Sequence, residues 1–165
     1  MPISPIMTDP VNTSIKPLPL WLGYAGLLPQ LACLVAVLMG GSAEWTAQAV
    51  AFGYAALIFS FLGGIWWGQA MVRPELPKWV FIVSVLPSLI ALALWLPWVY
   101  GQPWPGPSMI ALGGMLVASP LVDRAIGQSI ALPPGWMRLR WHLSLGLGLA
   151  TFVIGILSAQ PLSVG

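Results

Sequence analysis

Charge is what this sequence has least of. Of 165 residues, Lys and Arg number 6 and Asp and Glu 4, so charged residues make up only 6% of the chain. A soluble domain carries about 25%, and no water-facing surface could be assembled from so small a set. With 58% apolar residues and a mean hydropathy of +0.89, lipid is the solvent this composition suits. Cysteine is nearly absent too. Cys33 stands alone, which excludes an intrachain disulfide and a cysteine-based metal site; within an apolar stretch it reads as a small packed residue. His142 is also single, with only Asp123 near enough in sequence to help it hold a metal, so no metal site is expected. The basic stripe that grips nucleic acid is missing, and so are a phosphate-cradling glycine loop followed by Lys, H-E-x-x-H and G-x-S-x-G. No catalytic acid, base or metal set is legible, and neither enzyme activity nor a cofactor is expected.

What charge there is follows a rule. Threading the apolar stretches through a bilayer puts all 6 basic residues on one side. Lys16 precedes the first stretch, Arg73 and Lys78 lie between the second and third, and Arg124, Arg138 and Arg140 lie between the fourth and fifth. Basic residues collect in cytoplasmic loops because they resist translocation. The expectation is an all-α integral membrane protein with five transmembrane helices, N-terminus in and C-terminus out, in a bacterial inner membrane. Residues 1–17 read as a disordered cytoplasmic tail rather than a signal peptide, residues 18–158 as the five-helix domain, and residues 159–165 as a C-terminal tail.

The first span, about Leu18 to Met39, carries Pro29 beside Gln30. Proline frees the carbonyl four residues back, on Ala25, and a polar neighbour can answer it. The second runs from about Thr46 to Val72, and the third from about Pro77 to Leu96. Pro87 predicts a kink in the third, with a serine hydroxyl at Ser84 or Ser88 satisfying the Val83 carbonyl. The fourth, Ser108 to Val122, is only about 15 residues, short of the usual 17–25, and Pro120 bends its end. The fifth runs from about Arg140 to Ser158. The cores of all five contain no Asp, Glu, Lys or Arg, which argues against proton relays and ion pathways. Ten tryptophans fall mostly at the predicted interfaces, where indole rings anchor.

Two stripes of small residues and one charged cluster stand out. Ala56, Ser60, Gly64 and Gly68 recur every four residues and share one helix face. Ser144, Gly148, Thr151 and Gly155 form a second such face. Small residues let helix backbones approach in lipid, where a hydrophobic drive between helices is missing, so the two faces are expected to pack on each other. Asp123, Arg124, Trp136, Arg138, Arg140 and His142 gather at the basic side. They read as topological stop charges, as a site for an anionic phospholipid headgroup, or as a partner contact.

With these pieces in place, the chain resembles an uncharacterised proteobacterial and mitochondrial membrane family, the one containing transmembrane protein 69 (domain of unknown function 3429). The matching segments are Leu22-Gly23-Tyr24-Ala25-Gly26-Leu27-Leu28-Pro29, Tyr54 with Phe59-Ser60-Phe61-Leu62-Gly63-Gly64 and Trp67-Gly68, and Ser84-Val85-Leu86-Pro87-Ser88-Leu89. Asp123-Arg124 and Pro134 with Trp136-Met137-Arg138-Leu139-Arg140 complete the order. The family tends to have His-Trp where this chain has Trp66-Trp67, so a histidine role there is not available. The resemblance implies fold and location, and no activity. The expected function is that of a non-catalytic accessory or assembly subunit of a larger membrane complex, with membrane lipids and a membrane-protein partner or a second copy as contacts, and no nucleic acid. The alternative is a carrier or binding protein for a lipid, a quinone or another apolar small molecule.

Overall fold

Seven helices build the chain in a computed structural model that describes residues 17–159. They are α1 (Pro17–Ala25), α2 (Leu28–Met39), α3 (Glu44–Val72), α4 (Trp79–Val99), α5 (Gly106–Ala118), α6 (Pro120–Gly127) and α7 (Trp136–Ala159). No strand occurs among the described residues. Pairs α1–α2 and α5–α6 are broken spans, so five helical units are long and apolar enough to cross a membrane: Pro17–Met39, Glu44–Val72, Trp79–Val99, Gly106–Gly127 and Trp136–Ala159. The expected tails lie outside the described residues, except that Pro17 already opens α1 and Ala159 closes α7.

The breaks have local causes. Between α1 and α2 the helix loosens at Gly26 and Leu27, ahead of Pro29, which takes the first turn of α2. The Gly26 carbonyl is answered by the Tyr54 hydroxyl of α3, which donates to it. Gln30 does not turn back to the freed backbone as expected; it reaches across to α7. Gly40 and Gly41 have φ of +67° and +89°, and this left-handed turn returns the chain into α3. Pro87 lies inside α4, whose helix continues through it. The Ser84 hydroxyl donates to the Phe81 carbonyl at 2.7 Å, not to Val83, because the serine reaches back three residues. The fourth span is longer than its hydropathy suggested. It starts at Gly106 and, after a break at Ser119-Pro120, continues as α6 to Gly127. The polar Asp123-Arg124 pair masked that last turn from an apolar reading.

The spans alternate in direction. At one end Trp104, before α5, meets Trp45 and Phe52 of α3 and Trp98 of α4, with ring centroids 5.0–5.7 Å apart. At the other end the C-terminal part of α3, the α6 helix and the start of α7 come together around Asp123. The core between the ends holds Ala51, Ala55, Val80, Met109, Leu112, Leu116 and Ile154. Large apolar side chains face outward instead of inward: Leu57 is 70% exposed, Ile82 69% and Phe61 63%. Water would disfavour such a surface by roughly 25 cal/mol for each Å², while lipid accepts it, and five apolar helices with this exterior suggest a multi-pass membrane protein.

Candidate functional site

The most extensive helix contact is between α5 and α7, and glycine makes it possible. A Cβ on Gly113 would lie 2.8 Å from the Gly148 carbonyl oxygen and 2.8 Å from the Phe152 nitrogen. A Cβ on Gly148 would meet Val117 Cγ2 at 2.7 Å, and one on Gly155 would meet the Ile110 nitrogen at 2.8 Å. At the far end Gly106 lies against Ala159, with a Cβ approach of 2.7 Å. The two helices interlock through glycines spaced seven apart, Gly106 with Gly113 and Gly148 with Gly155. The face of Ser144, Gly148, Thr151 and Gly155 is therefore buried, but against α5 rather than α3.

The other stripe corrects the expected pairing. Gly64 and Gly68 are exposed, and an added Cβ at either would meet nothing within 4 Å. Ala56 and Ser60 are half-buried. The residue of α3 that admits a neighbouring backbone is Gly63, where a Cβ would clash with the Ser84 carbonyl of α4 and touch Pro87. Gly63 and Gly64 lie about 100° apart around a helix, so one packs inside while the other faces out. A groove of about 650 Å³ runs beside this outer stripe between α3 and α4. Its floor is made of Ala49, Gly53, Ala56, Ser60, Ser88 and Ala91, and Trp45, Trp95, Trp98 and Trp104 wall it.

At the inner end of the α5–α7 seam sits an ion pair. Arg140 Nε donates to Asp123 Oδ2 at 2.7 Å, and Nη2 lies 2.7 Å from the same oxygen in an ion pair. Asp123 is 2% exposed and Arg140 6%. The other carboxylate oxygen, Oδ1, accepts from Trp66 Nε1 at 3.1 Å. Arg140 Nη2 also approaches Ser119 Oγ at 3.4 Å, and that hydroxyl is shared with Ser144 Oγ at 3.1 Å and donates to the Leu116 carbonyl at 2.8 Å. Asp123 and Arg140 stand near the ends of the fourth and fifth helical units, as the charged cluster was read, and there they are buried rather than turned to the headgroups. A buried guanidinium needs such a partner set, because removing it from water costs several kcal/mol. Helical spacing decides which arginine enters. Arg138 and His142, four apart, stay exposed on one face of α7, while Arg140 points inward; Arg124 is exposed on α6. His142 Nδ1 is 2.8 Å from the Tyr24 hydroxyl of α1.

A second polar link crosses the bundle. Gln30 Nε2 donates to Thr151 Oγ1 at 2.9 Å, and the threonine hydroxyl donates to the Leu147 carbonyl at 2.7 Å. It ties α2 to α7 in the apolar middle. Beside the ion pair lies a cavity of about 450 Å³ between α1, α3 and α7, lined by Leu22, Gly26, Phe61, Ile58, Leu143 and others, with Arg140, Ser144 and Trp136 as its polar contributors. Among the described residues no group of three or more His, Cys, Asp or Glu comes together to hold a metal.

Reading the residues alone missed Trp66, Ser119, Gly63, Gly106 and Gly113. The last two carried a usable signal, the same seven-residue glycine spacing that recurs in α7. Trp66 carried none, since a tryptophan near a predicted interface is more simply an anchor. Its indole N–H supplies a donor to Asp123.

Neither a curated protein nor a solved structure matches the chain significantly. A family profile does, over residues 15–156. That span includes every helix but the last three residues of α7, so the chain belongs to the family described as protein of unknown function DUF3429.

Proposed function

We propose that this chain is a non-catalytic accessory or assembly subunit of a larger membrane complex, and that it receives a transmembrane helix of its partner on the outer face of α3. One observation carries the reading: an added Cβ at Gly53, Gly64 or Gly68 would meet nothing within 4 Å among the described residues, and Gly53, Ala56 and Ser60 on the same side of α3 line the groove between α3 and α4. In lipid, helices associate by close backbone packing at small residues, and the groove offers such a floor along much of α3. Its tryptophan wall offers large rigid contact area at one end. The membrane orientation proposed is N-terminus in and C-terminus out, with Arg73, Lys78, Arg124 and Arg138 on the cytoplasmic side of a bacterial inner membrane.

The test is affinity purification of the full chain from its native membrane after in-membrane crosslinking, beside the variant Gly53→Leu/Gly64→Leu. A stoichiometric membrane-protein partner is expected with the parent chain and lost with the variant, while both unfold at the same temperature. A parent chain that crosslinks to no protein overturns the reading. A reporter fused after Gly165 is expected to be active only outside the cytoplasm; activity inside overturns the orientation.

A further inference from the structure

The two halves of the first span are fastened unevenly. The second half, α2, buries Gln30, Cys33 and Val37 and is tied to α7 through Gln30 and Thr151. The first half, α1, buries no residue, and its Leu18 and Trp21 are 66% and 75% exposed. Among the described residues one side-chain hydrogen bond joins α1 to another element: the Tyr24 hydroxyl and His142 Nδ1 of α7 lie 2.8 Å apart. The rest of that contact is apolar and close, since a Cβ added at Gly23 would lie 3.1 Å from Leu143 and 3.8 Å from Leu139.

The joint between the halves is weak along its own backbone. Pro29 has no N–H to give to the Ala25 carbonyl. The Leu27 N–H bonds only three residues back, to the Tyr24 carbonyl at 3.0 Å, where a continuous helix bonds four back. Gly26 adds backbone freedom at the same point. Yet the joint is fixed in place, because the Tyr54 hydroxyl of α3 donates to the Gly26 carbonyl. A held joint with a loosely held arm has the form of a hinge. The arm also walls the cavity of about 450 Å³: α1 contributes Pro19, Leu22 and Gly23 to its lining, and α7 contributes Leu139, Arg140 and Ser144.

We propose that α1 is a lateral flap. It swings about Gly26 and Leu27, is latched against α7 by the Tyr24–His142 bond, and on opening uncovers the α7 wall of the cavity with Arg140 of the buried ion pair. Interhelical hydrogen bonds of this kind shift an equilibrium by about threefold on average. The latch therefore biases α1 toward the closed position without locking it, whereas the buried side chains of α2 hold the other half of the span in place.

The experiment uses the full chain in nanodiscs, with Cys33→Ala to remove the native thiol. Spin labels are placed at Trp21→Cys on α1 and Leu149→Cys on α7, both exposed positions, and distances are read by double electron–electron resonance. A control pair joins Leu38→Cys on α2 to the same Leu149→Cys. The α1 pair should show a main distance and a minor longer one, and the control pair a single narrow distance. Tyr24→Phe should raise the weight of the longer distance about threefold and leave the control pair unchanged. His142→Leu should do the same, and the double variant should add nothing, because each removes the same bond; if one variant fails to fold, the other carries the test. The thiol of Leu139→Cys, which lies against Gly23, should react with N-ethylmaleimide about threefold faster once Tyr24 is Phe. An α1 distance and a thiol rate unmoved by loss of the bond would overturn the flap, and so would broadening of the control pair together with the α1 pair, which would mean general loosening. Partner capture by the α3 face is read separately, so the two results do not depend on each other.

Discussion

Between α5 and α7 the glycines face one another, and along the outside of α3 they face nothing. The residue type is the same, yet Gly113 and Gly148 are filled against a neighbouring backbone while Gly64 and Gly68 are open. The difference teaches what a small-residue stripe means in lipid. It marks a surface that can be approached closely, and it does not say by what. On α7 the approach is intramolecular and is reinforced at its end by the Asp123–Arg140 pair. On α3 it is unused among the described residues.

The sharpest way to break this contrast is at the ion pair that closes the seam. Asp123→Ala leaves a buried guanidinium uncompensated and should lower the unfolding free energy by about 3–5 kcal/mol, measured by denaturant titration in mixed micelles. Asp123→Leu/Arg140→Leu, which removes both charges, should recover most of that loss. A loss below about 1 kcal/mol for the single variant would mean that the pair is reached by water and the seam has no special end.

Next comes the seam itself. Gly113→Ala places a methyl 2.8 Å from the Gly148 carbonyl oxygen and must push α5 from α7, with an expected loss of about 1–3 kcal/mol. Gly148→Ala should behave alike. The crossing hydrogen bond in the middle of the bundle is weaker. Thr151→Val removes the acceptor for Gln30 and should cost about 0.6 kcal/mol, the mean for interhelical hydrogen bonds in a membrane protein. Smallest of all is Gly64→Leu, expected within about 0.5 kcal/mol of the parent because its side chain enters open space. If Gly64→Leu destabilised the isolated chain as much as Gly113→Ala, the two faces would not differ and the outer stripe of α3 would be covered in the protein.

Much of the fold was legible because its signals are local. Five apolar stretches of membrane length are read residue by residue, and the same stretches appear as helical units. The Gly40-Gly41 turn has a local cause too, since only glycine takes its positive φ freely. The fourth unit was read short because hydropathy counts Asp123 as a terminus, whereas a carboxylate that accepts from Arg140 and Trp66 can continue a buried helix. The site was legible in part. Asp123 and Arg140 were in view as one charged cluster with Arg124 and Arg138, but only packing separates an arginine that turns inward from two that stay exposed.

The sequence by itself determined that lipid suits this composition, how many membrane-length helical units there are, and the family. Those follow from composition, from the length of each apolar run and from short motifs, all of which act within one segment. Only the tertiary structure decided which segments meet. Gly63 packs and Gly64 does not, α7 seats on α5 rather than on α3, and Trp66 completes the shell of an aspartate 57 residues away. In lipid every face of these helices is apolar, so hydrophobic patterning no longer says which side is inside, and backbone fit together with buried polar pairing makes the choice.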